Sequence, residues 1–248
     1  MRKTQIVVVG GGAGGLELVT RLGRRFGRSR HDIILVERNR THVWKPLLHE
    51  VAAGSLDANL DEVGYRSHCH RWGYRYFQGT LEDVDREARE VVLAPLRDEE
   101  GHELIGRHRI RYDWLVLATG SVTNDFGTPG VRENCMFLDD RAAADRFRSR
   151  LLDQCLRVSR AMTADPNVSA HVRVAIVGAG ATGVELAAEL YNAASALSYY
   201  GLEVFDERRL EVTLIEAGPR ILPALPERLA QAARGGAEAL GVRALTNT

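Results

Sequence analysis

Two stretches of the chain repeat one pattern of apolar and polar positions. The first reads Gln5-Ile6-Val7-Val8-Val9-Gly10-Gly11-Gly12-Ala13-Gly14-Gly15-Leu16, the second Val172-Arg173-Val174-Ala175-Ile176-Val177-Gly178-Ala179-Gly180-Ala181-Thr182-Gly183-Val184. Each is a β-branched run, a break of the form G-x-G-x-x-G, and then apolar residues three or four apart: Leu16, Val19, Leu22 and Phe26 in one copy, Val184, Ala187, Ala188 and Tyr191 in the other. The apolar run predicts a strand buried on both faces, as in a parallel sheet, and the wider spacing predicts a helix. A second apolar run ending in an acid follows each copy, Asp32-Ile33-Ile34-Leu35-Val36-Glu37 and Leu210-Glu211-Val212-Thr213-Leu214-Ile215-Glu216. Between Tyr191 and the latter, 193–209 is long enough to extend the helix and add a loop. Ala143, Phe147, Leu151, Cys155 and Val158 predict another helix over 140–158, laid on the second sheet.

Strand, glycine loop, helix, strand and acid in that order make a βαβ unit that can hold a dinucleotide. The first glycine permits the tight turn, the second lets the backbone approach a pyrophosphate, and the third lets helix and strand pack closely. The helix N-terminus offers free N–H groups and partial positive charge to the phosphates. Glu37 lies about 20 residues past its loop, where a carboxylate meets ribose hydroxyls. Glu216 sits further past its own loop but likewise ends the following strand, and its charge favours NADH over a 2′-phosphorylated nucleotide. Arg220, beside Pro219, is read as a surface residue. A lone G-x-G-x-x-G is a weak signal; here strand, helix and acid accompany it twice. The expected fold is α/β, with two Rossmann-like βαβ dinucleotide-binding units, the second unit and the overall domain around the first both incomplete.

The 248 residues allow one large domain or two modest ones, and 45% apolar content suffices for a packed core. Thirty-three basic and 33 acidic side chains cancel, so no net field draws nucleic acid. Arg21, Arg24, Arg25, Arg28 and Arg30 are read as a solvated helix face. Cys69, Cys135 and Cys155 show no metal or redox spacing and fit a reduced compartment. No apolar run approaches the roughly 20 residues of a membrane helix. His68-Cys69-His70 lacks a further ligand at metal-site spacing, so no metal is expected. Trp72, Tyr199 and Tyr200 are read as packing residues.

Between the copies, Tyr112-Asp113-Trp114-Leu115-Val116-Leu117-Ala118-Thr119-Gly120 is an apolar strand running into Ala-Thr-Gly. It resembles the segment where two-dinucleotide flavoprotein reductases leave the FAD domain. The stretch Thr41-His42-Val43-Trp44-Lys45-Pro46-Leu47-Leu48-His49-Glu50-Val51-Ala52-Ala53-Gly54-Ser55-Leu56 is more particular. With Gly127-Thr128-Pro129-Gly130-Val131 and Thr182-Gly183-Val184-Glu185 it resembles the type II NADH dehydrogenases, single-subunit NADH:quinone oxidoreductases. The resemblance covers essentially the whole chain.

The resemblance implies an FAD-binding domain over 1–122 and an NADH-binding domain over 123–248. Gly10, Gly11, Gly12, Ala13, Gly14 and Gly15 would hold the FAD pyrophosphate, and Glu37 and Arg38 the adenosine ribose and its surroundings. Lys45 and Pro46 would lie along the flavin, Thr119 and Gly120 would close over it, and Leu81, on a strand over 76–81, would meet the adenine through its backbone. Gly178, Gly180, Gly183 and Glu216 would bind NADH. Glu185 would sit near the stacked rings and assist proton handling or charge transfer to the quinone; as a first-turn helix acid it could equally serve the helix dipole. Electrons would pass from NADH through FAD to a membrane quinone. No cysteine lies between Trp44 and Glu50, which excludes a thiol relay there. The family pattern continues past this chain with a second FAD segment and a membrane-docking region. Peripheral membrane contact at the inner face of the cell membrane would depend on that absent part, and a homodimer is compatible. Three readings stay open besides: a ferredoxin or rubredoxin reductase, an NADH oxidase, or a dinucleotide-binding module without catalysis.

Overall fold

The computed structural model describes residues 2–202 and 205–248, the side chains of 198 and 200 aside. The chain runs β1 (Thr4–Val9), α1 (Ala13–Arg30) and β2 (His31–Glu37), then the short helix α2 (Leu48–Ala53) and α3 (Tyr65–Trp72). Strands β3 (Arg75–Gln78), β4 (Leu81–Asp85), β5 (Glu90–Leu93), β6 (His108–Arg111) and β7 (Trp114–Leu117) follow. After them come α4 (Arg141–Ala164), β8 (Val172–Val177), α5 (Ala181–Ala196), β9 (Leu210–Glu216), α6 (Glu227–Ala239) and β10 (Arg243–Thr246). Two compact units result: Met1–Lys45 with Asn59–Val122, and Pro46–Ala58 with Thr123–Thr248. The segment 46–58, read from sequence as part of the first domain, joins the second unit because α2 buries Leu48, Val51, Ala52 and Ala53 where it packs on α4 and α5.

In the first unit, a parallel sheet of order β7-β1-β2-β3 is covered on both faces. Alternate residues divide between the covers, as the two-residue period of a strand requires. Val7, Val9, Ile34 and Val36 pack against Val91, Leu93 and Ile110 of the antiparallel sheet β6-β5-β4. Val8, Ile33 and Leu35 pack against Val19 of α1, with Tyr65 and Tyr74. Each such aliphatic side chain, fully removed from water, contributes roughly 1.5–3 kcal/mol. Leu16, Leu22 and Phe26 join this face half-buried, and Arg21, Arg24, Arg25, Arg28 and Arg30 lie exposed on α1, as expected. Leu81 is not on one strand with Tyr76. β3 ends at Gln78, where Gly79 donates its N–H to the Glu37 carbonyl (3.1 Å), and Leu81 opens the antiparallel sheet opposite Leu93.

In the second unit, β8-β9-β10 form a parallel sheet. β8 departs from the expectation of two buried faces: Val172 and Ile176 are buried, whereas Ala175 is exposed and Val177 is 71% exposed. It is the edge strand of its sheet, and α5 covers one face of it. The buried stripe of α5 is Gly183, Leu186, Ala187, Leu190, Tyr191 and Ala194, so Val184 and Ala188 lie at its margin. α4 forms where its spacing predicts, capped by the Asp140 carboxylate accepting from Ala143 N–H (2.8 Å). It packs chiefly on α2 and only secondarily on β8.

Trp72 carries the guanidinium groups of Arg24 and Arg71 on its ring. Tyr199, read as a packing residue, is 90% exposed, and the Tyr200 side chain lies outside the described residues. The three cysteines are free thiols. Among the described residues no helix is long and apolar enough to cross a membrane.

Candidate functional site

The two glycine loops are built alike, and each joins a parallel strand to a helix. Gly10 turns the chain out of β1 at φ 103°, its N–H bonded to the Val36 carbonyl (2.8 Å). Gly178 turns it out of β8 at φ 101°, its N–H bonded to the Ile215 carbonyl (2.8 Å). Only glycine adopts such a turn without strain. The third glycine of each loop is a packing requirement: a Cβ on Gly15 would lie 1.8 Å from the Gly10 carbonyl oxygen, and one on Gly183 would lie 2.0 Å from that of Gly178.

The middle glycines are different. Gly12 and Gly180 are the N-caps of α1 and α5, with φ −65° and −71°, values open to any residue, and a Cβ on either would meet nothing within 4 Å. Neither backbone geometry nor packing within the protein asks for glycine there. What remains is the close approach of an outside group to the backbone. No side chain caps either helix start, so the first N–H groups of α1, at Ala13 and Gly14, and of α5 face outward. Such a site fits a pyrophosphate.

The acids close the construction. Glu37 Oε2 accepts from Gly11 N–H (2.7 Å), and its Oε1 from Asn39 N–H (3.0 Å). Glu216 repeats this with Ala179 N–H (2.9 Å) and Gly218 N–H (2.8 Å). Two backbone donors hold each carboxylate at the mouth of its loop, where it can take ribose hydroxyls. Arg220, half-buried, donates to the Pro223 carbonyl (2.9 Å).

The other expected residues divide. Lys45 is brought to the end of β7, where its Nζ donates to the Ser121 carbonyl (2.9 Å) beside exposed Thr119 and Gly120. Ala118 and Thr119 lie directly over Gly10, within 2.9 Å of where its Cβ would stand. Arg38 is exposed just past Glu37, and Pro46 is exposed at the start of the second unit. Leu81 follows Gly79 and Thr80 beyond the Glu37 contact. Glu185 is the fifth residue of α5, past the first turn, which removes the dipole reading; its half-exposed carboxylate lies 3.8 Å from His49 Nδ1.

Three residues near these sites carry no local signal in sequence. Tyr65, fully buried on α3, donates its hydroxyl to the Gly11 carbonyl (2.7 Å) and stacks on Tyr76. Burial and the nearby Glu37 charge push the Tyr65 phenol well above its ordinary range and that of Tyr76 up to about 12, so both stay neutral donors. His42 is held below the usual histidine value by burial, against the opposing pull of a hydrogen bond to Gly11 and the charge of Glu37. His49 is the third. His68 and Cys69 are engaged otherwise, with the Tyr74 hydroxyl and the Arg66 carbonyl. Asp98, Glu100 and His102 cluster within 4.8 Å on a surface hairpin, a grouping of exposed charges common without a metal.

The sequence profile of the pyridine nucleotide-disulphide oxidoreductases matches residues 4–248. A type II NADH:quinone oxidoreductase of Haemophilus influenzae is 46% identical over 98% of this chain and 57% of its own length. The protein of that name from Staphylococcus aureus is 28% identical over 97% of this chain and 56% of its own length. The chain thus spans about half the length of the curated relatives it matches. Among solved structures, NDH2 from Plasmodium falciparum in complex with NADH superposes with a TM-score of 0.79 at 25% identity, covering 99% of this chain and 48% of that one. With its profile matched from the first strand to the last residue, this chain belongs to the pyridine nucleotide-disulphide oxidoreductase family.

Proposed function

We propose that this chain is the dinucleotide-binding portion of a type II NADH:quinone oxidoreductase, with FAD on the first glycine loop and NADH on the second. The observation that carries the reading is the pair of open middle glycines, Gly12 and Gly180, each beside a carboxylate fixed by two backbone N–H groups. The 46% identity to a protein of that name supports the choice of electron donor and acceptor.

When bound, FAD supplies the two-electron chemistry that links the nicotinamide to the acceptor. The chain's own residues bind and orient. In the first unit, the N–H groups from Gly12 to Gly15 at the start of α1 receive a pyrophosphate, while the Gly11 N–H holds Glu37 at the ribose, with Arg38 beside it. Gly79 and Leu81 then follow Glu37 as backbone for the adenine edge. Thr119, Gly120 and Lys45 take the flavin end, with Pro46 next in the chain. In the second unit, Gly178, Gly180 and Gly183 receive the other pyrophosphate. Glu216 accepts both ribose hydroxyls and repels a 2′-phosphate, which selects NADH. Glu185 manages the proton that accompanies quinone reduction. The quinone implies a peripheral contact with the inner face of the cell membrane, and the family reading allows a homodimer.

The test is direct. The purified protein is expected to be yellow, absorbing near about 450 nm, to bleach on adding NADH, and to recover its colour with a soluble quinone. A colourless protein that binds only nicotinamide nucleotides would overturn the enzyme reading.

A further inference from the structure

Helix α2 turns one histidine into the interior of the second unit. The His49 side chain is 10% exposed, and its Nδ1 has no hydrogen-bond partner among the described residues. A buried polar atom left unpaired is costly, so such an atom calls for an explanation. Nδ1 stands 3.8 Å from Glu185 Oε2 on α5, and Nε2 stands 3.9 Å from Glu50 Oε1 on α2 itself. Both gaps exceed a hydrogen bond by less than a side-chain rotation can close. Glu185 is free to make that rotation, being 52% exposed. The imidazole is therefore set between two carboxylates, one of them reaching solvent on the helix that starts at the second glycine loop. Arg148 of α4 also faces α2, its guanidinium lying beside Gly54 at the far end of the helix.

We propose that His49 is the proton-sharing partner of Glu185, a positioning residue that restocks the proton Glu185 delivers when the quinone is reduced. The inference rests on the NADH:quinone reading given above. In that reaction NADH, one proton and a quinone give NAD⁺ and a hydroquinone. Both electrons and one hydrogen originate in NADH, and the second proton comes from water. The geometry gives that second proton a route. It arrives at Nε2 from the side of Glu50, while Nδ1–H releases a proton to Glu185 Oε2. The Glu185 carboxyl then passes it to the acceptor oxygen. Each transfer breaks one N–H or O–H bond and makes another, and the ring ends neutral.

His49→Asn and His49→Gln separate proton sharing from packing. The asparagine amide stands in for Nδ1 and the glutamine amide for Nε2; each keeps a donor in place, and neither can titrate. Stopped-flow absorbance would follow flavin bleaching by NADH and flavin reoxidation by a soluble quinone separately, from about pH 5.5 to about 8.5. Both variants are expected to slow reoxidation at least ~10-fold at neutral pH and to flatten its pH dependence. Bleaching is expected to stay within about two-fold, because that step needs no side-chain acid or base. Adding Glu185→Gln to either variant is expected to cost nothing further, as for two groups acting as a unit. Variants that keep the unsubstituted pH profile would overturn the pairing, and so would loss of both half-reactions together, which assigns His49 to packing. Failure of the function reading looks different: the unsubstituted protein would itself reduce no quinone.

Discussion

The two glycine loops share strand, turn, helix and acid, yet their second residues differ, Gly11 in one and Ala179 in the other. The structure shows why. In the first loop the carbonyl of that residue is held by the Tyr65 hydroxyl, which stands 2.4 Å from where a Cβ on Gly11 would be. In the second loop the equivalent carbonyl is held by the backbone N–H of Leu222 (2.7 Å), and the alanine is accommodated fully buried. The surroundings of the first glycine differ too. Gly10 lies under Ala118 and Thr119 at the end of β7, whereas a Cβ on Gly178 would meet nothing. One pattern of residues has thus been fitted into two environments, and the features that stay constant are the ones a pyrophosphate and a ribose require.

Several substitutions bear on this comparison. Gly15→Ala and Gly183→Ala should be the most damaging and should act alike, each losing about 3 kcal/mol by overpacking helix against turn. Chemical denaturation would measure this, and a mild effect in either would show that helix and strand can separate. Gly10→Ala and Gly178→Ala should diverge. Both pay about 1–3 kcal/mol of backbone strain, but only Gly10→Ala adds a collision with the Ala118 carbonyl, 2.2 Å away. Equal losses would contradict the difference in surroundings.

Tyr65→Phe is a smaller change confined to the first loop. Losing one hydrogen bond of about 0.5–1.5 kcal/mol should weaken flavin retention by about 2- to 12-fold and leave NADH affinity unchanged, since the second loop uses a backbone donor in its place. Flavin-release titrations beside NADH titrations would show it. The smallest effect is one of pH. Burial lowers the values of His42 and His68 in the folded first unit below the ordinary 6.5. Below that value the unfolded chain takes up protons that the folded chain declines. Stability therefore falls as pH drops from 6.5 through the folded values, and is retained above 6.5. A melting temperature lower in mild acid, with a shallower slope in His42→Asn, is the expected outcome.

Much of this site is legible in the sequence because its parts are local. A glycine loop lies within six residues, and each acid ends the next strand of the same unit. What the sequence hid is tertiary. Tyr65 reaches Gly11 from 54 positions away, and no periodicity marks it. His49 sits in a short helix whose sequence neighbours suggest the first domain, while its burial comes from helices of the second. Leu81 lies off the strand its apolar neighbours predict because Gly79 ends one strand and lets the chain start another in a different sheet. β8 reads like β1 in its apolar run, but β1 is central in a sheet covered on both faces, whereas β8 lies at a sheet edge with Ala175 and Val177 exposed.

The central claim is that Gly12 and Gly180 are kept small for ligands and for nothing inside the protein. Gly12→Ala and Gly180→Ala should therefore be compared by melting temperature and by titration with FAD and with NADH. The account predicts unchanged melting of the ligand-free protein, loss of FAD affinity alone in Gly12→Ala, and loss of NADH affinity alone in Gly180→Ala. Undiminished binding in both, or a collapse of the fold in either, would contradict it.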